Sequence, residues 1–339
     1  MMNEGDRKKV FWLLKKYSSY TAWKALGDAY AEFAKAYEYA IHHSEETDED
    51  ASEWDRDHFK RILNGQIAFE KGLPLLREGQ RSVFRRASTG YLRRAAGAIN
   101  FINRIMDPEE FVFDWMVNKD EVVAATNKLM LRGQGLGAAN EPGNELYEDE
   151  RVASEGSQTV FDPFFGPFNI PNQLSDVPAP TDTTVSTGEE LSRTGIWEPE
   201  WEISPGLLKS LTATPAKLEK GCMNYLLAGT IAPKYKDGEL EPEINVAWRL
   251  IWADHRYEDG IIPEEEAEYL AEATPAPHQE RLRGLPNELV PQTGWWWSPA
   301  FIGTDALRHF NQGEHFPPTE TTNYGGVFWY YDADRQPKE

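Results

Sequence analysis

Seven groups of side chains have the composition of a reactive or ligand-binding site. His309 and His315 flank a short polar stretch, with Glu314 beside the second, and His42-His43 stand just before Glu45 and Glu46. Imidazoles with carboxylates can hold a divalent metal. Neither group, however, has the four-residue spacing that sets two histidines on one helix face, and no cysteine cluster accompanies them. They read as surface or packing histidines, and no metal is expected. Gly133, Gly135 and Gly137 resemble a phosphate cradle only in composition. Phosphate loops follow a strand and open a helix, whereas these glycines follow a helical pattern and lack the Lys-Ser/Thr pair. Cys222 lies in the small, apolar run Gly221-Cys222-Met223, where a buried thiol is inert packing, and no Gly-x-Ser-x-Gly elbow is present. Arg85, Arg86, Arg93 and Arg94 could hold a phosphate, but pairing with the acidic second half of the same chain is the more economical reading. No catalytic residue and no cofactor is expected, and the chain does not read as an enzyme.

The remaining two groups suit binding rather than chemistry. Asp254, Glu258, Asp259, Glu264, Glu265, Glu266, Glu268 and Glu272 crowd one short stretch. Trp295-Trp296-Trp297 is followed by Tyr324, Trp329, Tyr330 and Tyr331. Solubility would explain the first and a core the second. Yet three successive tryptophans cannot all face one core from a strand or a helix, so at least one belongs at a surface, cleft or seam. Aromatic side chains anchor protein interfaces, and an acidic rim speeds capture of a basic partner. The expected partner contacts are therefore Asp254, Glu258, Asp259, Glu264, Glu265, Glu268 and Glu272, with Trp295, Trp296, Trp297, Tyr324, Trp329 and Tyr331.

The elements that carry these groups divide the chain. Residues 1–130 hold 20 basic and 21 acidic residues, while 131–339 hold 15 and 35, so nearly all of the net charge of −21 lies in the second part. Only Pro74 and Pro108 of the 22 prolines precede residue 131. The first part reads as four long antiparallel helices forming a bundle. Trp23, Leu26, Tyr30, Phe33, Tyr37 and Ile41 make one apolar stripe. A second helix spans about 49–71 and stops at Gly72 and Pro74. A third spans about 80–106, with the small run Ala95-Ala96-Gly97-Ala98 inviting close approach, and a fourth runs from Asp107-Pro108 to about 131. After it, a helix is expected at 217–227, and 243–252 is ambiguous between strand and buried helix. Pro263 opens a short acidic helix, and 326–331 is β-like. The fold class is mainly α: an N-terminal antiparallel helical bundle, then a loop-rich α+β part with few short strands. The expected domains are 1–132, a glycine- and proline-rich but ordered connector at 133–215, and 216–339. Phe161, Phe164, Phe165 and Phe168 are expected to pack the connector against the helices.

The net charge of −21 disfavours nucleic acid and anionic membranes as partners, since both repel it. One cysteine fits a reducing compartment, no run of about 18 apolar residues is present, and the first twenty residues lack the pattern of a secretory signal. A sugar-binding or carbohydrate-active protein using the aromatic-rich half is the alternative from another class, and a structural subunit of a larger assembly is a second.

Three stretches, FWLLKKYSSYTAWKALGDAY at 11–30, NYLLAGTIAPKYKDG at 224–238 and TGWWWSPA at 293–300, resemble immunity proteins of bacterial polymorphic toxin systems. The first part is similar to the immunity protein 71 type and the second to the immunity protein 72 type. The resemblance implies a cytoplasmic antidote that binds one cognate effector toxin, often a nuclease delivered by a type VI secretion system. It carries over no catalytic residue. A basic DNase fits the charge: its active site attracts a polyanion, so a partner bearing most of its negative charge in one half is steered to the same mouth in a 1:1 heterocomplex.

Overall fold

The computed structural model describes residues 4–43, 49–106, 115–133, 170–171, 173–203, 217–235, 242–270, 282–298, 307–317 and 329–331. Among these, helices occupy the first part and strands the second. Two compact units result, residues 1–271 and 272–339.

In the first unit, α1 (Glu4–Tyr17) and α2 (Tyr20–His43) meet at a two-residue turn. The stripe read from the sequence is the buried face of α2: Trp23, Leu26, Tyr30, Phe33 and Tyr37 are interior, with Ile41 half-buried. That face packs against α3 (Glu49–Arg77) and α5 (Lys119–Gly133), and α3 packs on α4 (Tyr91–Ile105). The small run of α4 serves its expected purpose at Ala98: a Cβ built on Gly65 of α3 would lie 2.6 Å from the Ala98 Cβ and 2.1 Å from the Tyr30 hydroxyl. Only a glycine lets the three helices approach so closely.

Three helix boundaries differ from expectation. α3 runs through Gly72 and Pro74 to Arg77, because a proline this close to the helix end sacrifices little and its carbonyl still accepts from Glu78 N. The expected helix over 80–106 is broken: Arg81–Phe84 forms one 3-10 turn, Arg85 is extended, and α4 begins only at Tyr91. Gly90 is the pivot. A Cβ there would strike the Arg85 carbonyl oxygen at 1.8 Å, so the chain folds back on itself before α4. The fourth helix, expected from Asp107-Pro108 to about 131, begins as α5 only at Lys119, after a turn at 115–118, while Asp107 and Pro108 lie outside the described residues.

The strands between residues 184 and 253 form an antiparallel sheet. β1 (Thr184–Ser186), β5 (Ala247–Ala253), β2 (Gly195–Ile203) and β3 (Lys217–Lys220) lie side by side in that order, and β4 (Asn224–Leu226) also pairs with β2. The ambiguous 243–252 segment is thus resolved as strand β5. The helix expected at 217–227 is not formed. Lys217–Lys220 and Asn224–Leu226 are instead two strands on β2, and cross-strand pairing outweighs a helical preference that was only local. Residues 184–203, expected within a connector, supply β1 and the central β2. The Phe161–Phe168 aromatics lie outside the described residues.

One hydrophobic core runs from Val10 on α1 to Tyr257 beyond β5, so helices and sheet share an interior. Phe11 meets Trp252 edge-on at 6.4 Å. An ion pair reinforces the junction, with Arg7 binding the buried Glu198 at 2.8 Å, and within the sheet Lys220 bridges Glu198 and the buried Glu200 at 2.9 and 3.1 Å.

The second unit holds a four-stranded antiparallel sheet in the order β6 (Arg283–Gly284), β9 (Trp329–Tyr331), β7 (Gly294–Trp297) and β8 (Leu307–Phe310). The expected β-like run therefore contributes β9. Val290, Trp296, Phe310, Phe316 and Trp329 form its core.

Candidate functional site

The acidic stretch has two kinds of carboxylate. Asp254, just beyond β5, is interior. It accepts hydrogen bonds from Arg256 Nε at 2.8 Å, Arg256 Nη2 at 2.7 Å and the Tyr225 hydroxyl at 2.6 Å, and pairs with Arg81 at 2.8 Å. Burial alone would push its carboxyl up, but Arg256, Arg81 and Tyr225 hold it down at about 2. Glu266, in the 3-10 segment Glu264–Leu270, is fully buried. It accepts from the Thr21 amide at 3.1 Å and from the Tyr257 hydroxyl, and Arg256 lies 3.6 Å away.

Glu258, Asp259, Glu264, Glu265 and Glu268 are exposed. Glu265 pairs with Lys15 of α1 at 2.6 Å, and Glu258 meets His255 at 2.9 Å. Amid these carboxylates Ile261 is 64% exposed, an apolar side chain that charge counting did not single out. Glu272 lies outside the described residues.

The tryptophan run lies on β7, where alternation sends neighbours to opposite faces. Trp296 points into the core, with its ring 4.9 Å from Phe316 and 5.2 Å from Tyr331, and its indole N–H donates to the Gln292 carbonyl at 3.1 Å. Trp295 is half-buried and meets His309 edge-on at 5.4 Å. Trp329 is fully buried, stacked on Phe316, and Tyr331 is half-buried with its hydroxyl accepting from Gln292 Nε2 at 2.9 Å. The Trp297 side chain and Tyr324 lie outside what is described.

Asp254, Trp296 and Trp329 therefore do not present themselves to a partner. The first neutralises two buried guanidinium groups, and the indoles fill the core of a small sheet. The exposed or half-exposed members of the expected set are Glu258, Asp259, Glu264, Glu265, Glu268, Trp295 and Tyr331. The first five share one stretch of the first unit and the last two belong to the second.

Two of the four clustered arginines reach carbonyl oxygens. Arg85 reaches the second half through a carbonyl, that of Ala228, and Arg94 donates to the carbonyls of Ala87 and Ser88. First-part cations that meet second-half carboxylates include Arg7, Lys8, Lys15 and Arg81. Sequence spacing carried no sign of them, since each partner lies more than 160 residues away. Glu266 left one trace: three consecutive glutamates on a short helical turn cannot all face water.

His315 Nδ1 lies 2.8 Å from the Asn287 carbonyl, and Glu314 accepts from the side-chain and backbone N–H groups of Asn311 at 2.8 Å. Among the described residues no three His, Cys, Asp or Glu side chains converge as metal ligands, and no helix is long and apolar enough to cross a membrane.

No curated protein and no solved structure matches the chain. Residues 1–134 match the family described as Immunity protein 71, and residues 176–270 match the family described as Immunity protein 72. The first match covers the helices and the second covers the first sheet with the acidic stretch. Immunity protein families are inhibitors and not enzymes. The two matches together support a place for this chain among the polymorphic-toxin immunity proteins.

Proposed function

We propose that the protein is the antitoxin of one cognate effector, a basic nuclease delivered by a type VI secretion system. In this reading it acts in the cytoplasm and forms a 1:1 complex that blocks or distorts the effector's active site. The observation that carries the reading is the set of exposed carboxylates Glu258, Asp259, Glu264, Glu265 and Glu268, with Ile261 among them, inside the region matched to an immunity family. A nuclease mouth is positive because it must attract a polyanion, and such a surface steers this protein to it. Trp295 and Tyr331 of the second unit are proposed as aromatic contacts that slow dissociation, and Glu272, Trp297 and Tyr324 stay in the proposed set on charge and residue type.

Co-expression with its cognate effector should restore growth to cells poisoned by that effector. Association of the purified pair should slow as salt rises. Failure of rescue rejects the antitoxin reading, and an association rate indifferent to salt rejects the electrostatic one.

A further inference from the structure

We infer that the two regions matched to separate immunity families are not independent modules. The stretch 254–270 acts as a strap that completes the junction of α1 and α2, and makes residues 1–271 fold as one cooperative unit. The argument starts at the Ser18-Ser19 turn. A helix beginning leaves its first amides without partners, and a helix ending leaves its last carbonyls so. At α2 the Tyr20 amide donates to the Tyr257 hydroxyl at 2.6 Å, the Thr21 amide to Glu266 Oε2 at 3.1 Å, and the Ala22 amide to Ser19 Oγ at 3.2 Å. Two of these three caps come from the other family region. At the end of α1, the Lys15 carbonyl accepts from Arg256 Nη1 at 2.9 Å, and Ser18 Oγ accepts from Arg256 Nη2 at 2.7 Å. The charges match the helix ends, a guanidinium at the negative C-terminus of α1 and a carboxylate at the positive N-terminus of α2.

The strap itself is held by what it holds. Tyr257 has φ of +73°, a left-handed conformation that a bulky residue adopts only when its surroundings impose it. Its hydroxyl accepts from Tyr20 and donates to Glu266, and its ring lies 4.8 Å from the Arg81 guanidinium and edge-on to Tyr20 at 6.3 Å. Parting the two regions would take Arg81 from Asp254, Arg256 from the Lys15 carbonyl and Ser18, and Glu266 from the Thr21 amide, and would uncap both helices at once. Neither region reaches a satisfied state alone.

Hydrogen exchange on the full-length protein tests this without any toxin. Across a urea series, peptides from the helices of 1–134 and from the sheet of 176–270 should lose protection at the same denaturant concentration. Tyr257→Phe and Glu266→Gln should each raise exchange at the first turn of α2 at least tenfold, whereas Glu258→Gln, on the same stretch but exposed, should leave it unchanged. If Glu266→Gln does not fold, Tyr257→Phe, which loses one hydroxyl, decides. Helices that stay protected after the sheet has opened, or a first turn of α2 indifferent to the loss of the Tyr257 hydroxyl, would overturn the inference.

Discussion

Asp254 shows how the same residue type can be surface charge in one place and structural counter-ion in another. Its carboxylate faces Arg81 and Arg256 in the interior, where removing one partner leaves the others buried and uncompensated. Asp254→Asn should cost about 3–5 kcal/mol of unfolding free energy in urea titrations. The acid limb follows from the same contacts. The folded carboxyl stays ionised down to about 2, whereas an unfolded aspartate takes up its proton near pH ~3.9. The unfolded chain therefore binds more protons in between, and the stability Asp254 supplies, complete above pH ~4, is lost as pH falls toward 2. Asp254→Asn should flatten that part of the stability profile.

At Lys16 the surroundings disfavour the charge instead of favouring it. Burial, helped by the Arg132 charge, brings its amine down to about 8, and its Nζ sits 5.3 Å above the Trp12 ring. Between pH ~8 and pH ~10.4 the unfolded lysine is protonated and the folded one is not, so stability rises with pH across that window. Lys16→Met should raise the melting temperature at pH 7, and the gain should shrink as pH approaches 10, read by thermal melts across that range. Neither Asp254 nor Lys16 could be told from its exposed neighbours by type and position, since Arg81 beside Asp254 and Arg132 near Lys16 each lie more than 100 residues away along the chain.

At the scale of elements, periodic stripes were the legible part. α2 buries the face that its aromatic spacing marks, because a helix has only one side to turn inward. Where two helices touch is also partly written in small residues. Gly65→Ala should destabilise the protein by about 1–3 kcal/mol in urea, since the new methyl must displace the Tyr30 hydroxyl, which donates to the Ile62 carbonyl at 2.8 Å, or part α3 from α4. Short strands were less legible. Lys217–Lys220 and Asn224–Leu226 are strands because β2 lies beside them, and a segment of three or four residues carries too few side chains to declare a period. The tryptophan run was read correctly as unable to face one core, but which indole turns inward depends on the register of β7, with Trp296 opposite Arg308.

For the whole molecule, the proposed steering to a partner depends on net charge, and burial decides which charges can take part. Reversing Glu264 and Glu268 together, both exposed, should slow association with the proposed basic effector about tenfold at low salt while changing dissociation little, and the difference should fade at high salt in stopped-flow measurements. Wild-type kinetics in that double variant would remove the stretch from the proposed contact set. The composition and the order of residues were enough to separate a helical first part from a strand-bearing, acidic second part, because hydrophobic period and charge count are properties of neighbours in the chain. Where one body ends and the next begins was settled in three dimensions, with compact units at 1–271 and 272–339. So was the division of the carboxylates into counter-ions, helix caps and free surface. The physical reason is range: a stripe is made by residues three or four apart, whereas Arg81 meets Asp254, and Thr21 meets Glu266, only after the chain has folded back over more than 170 residues.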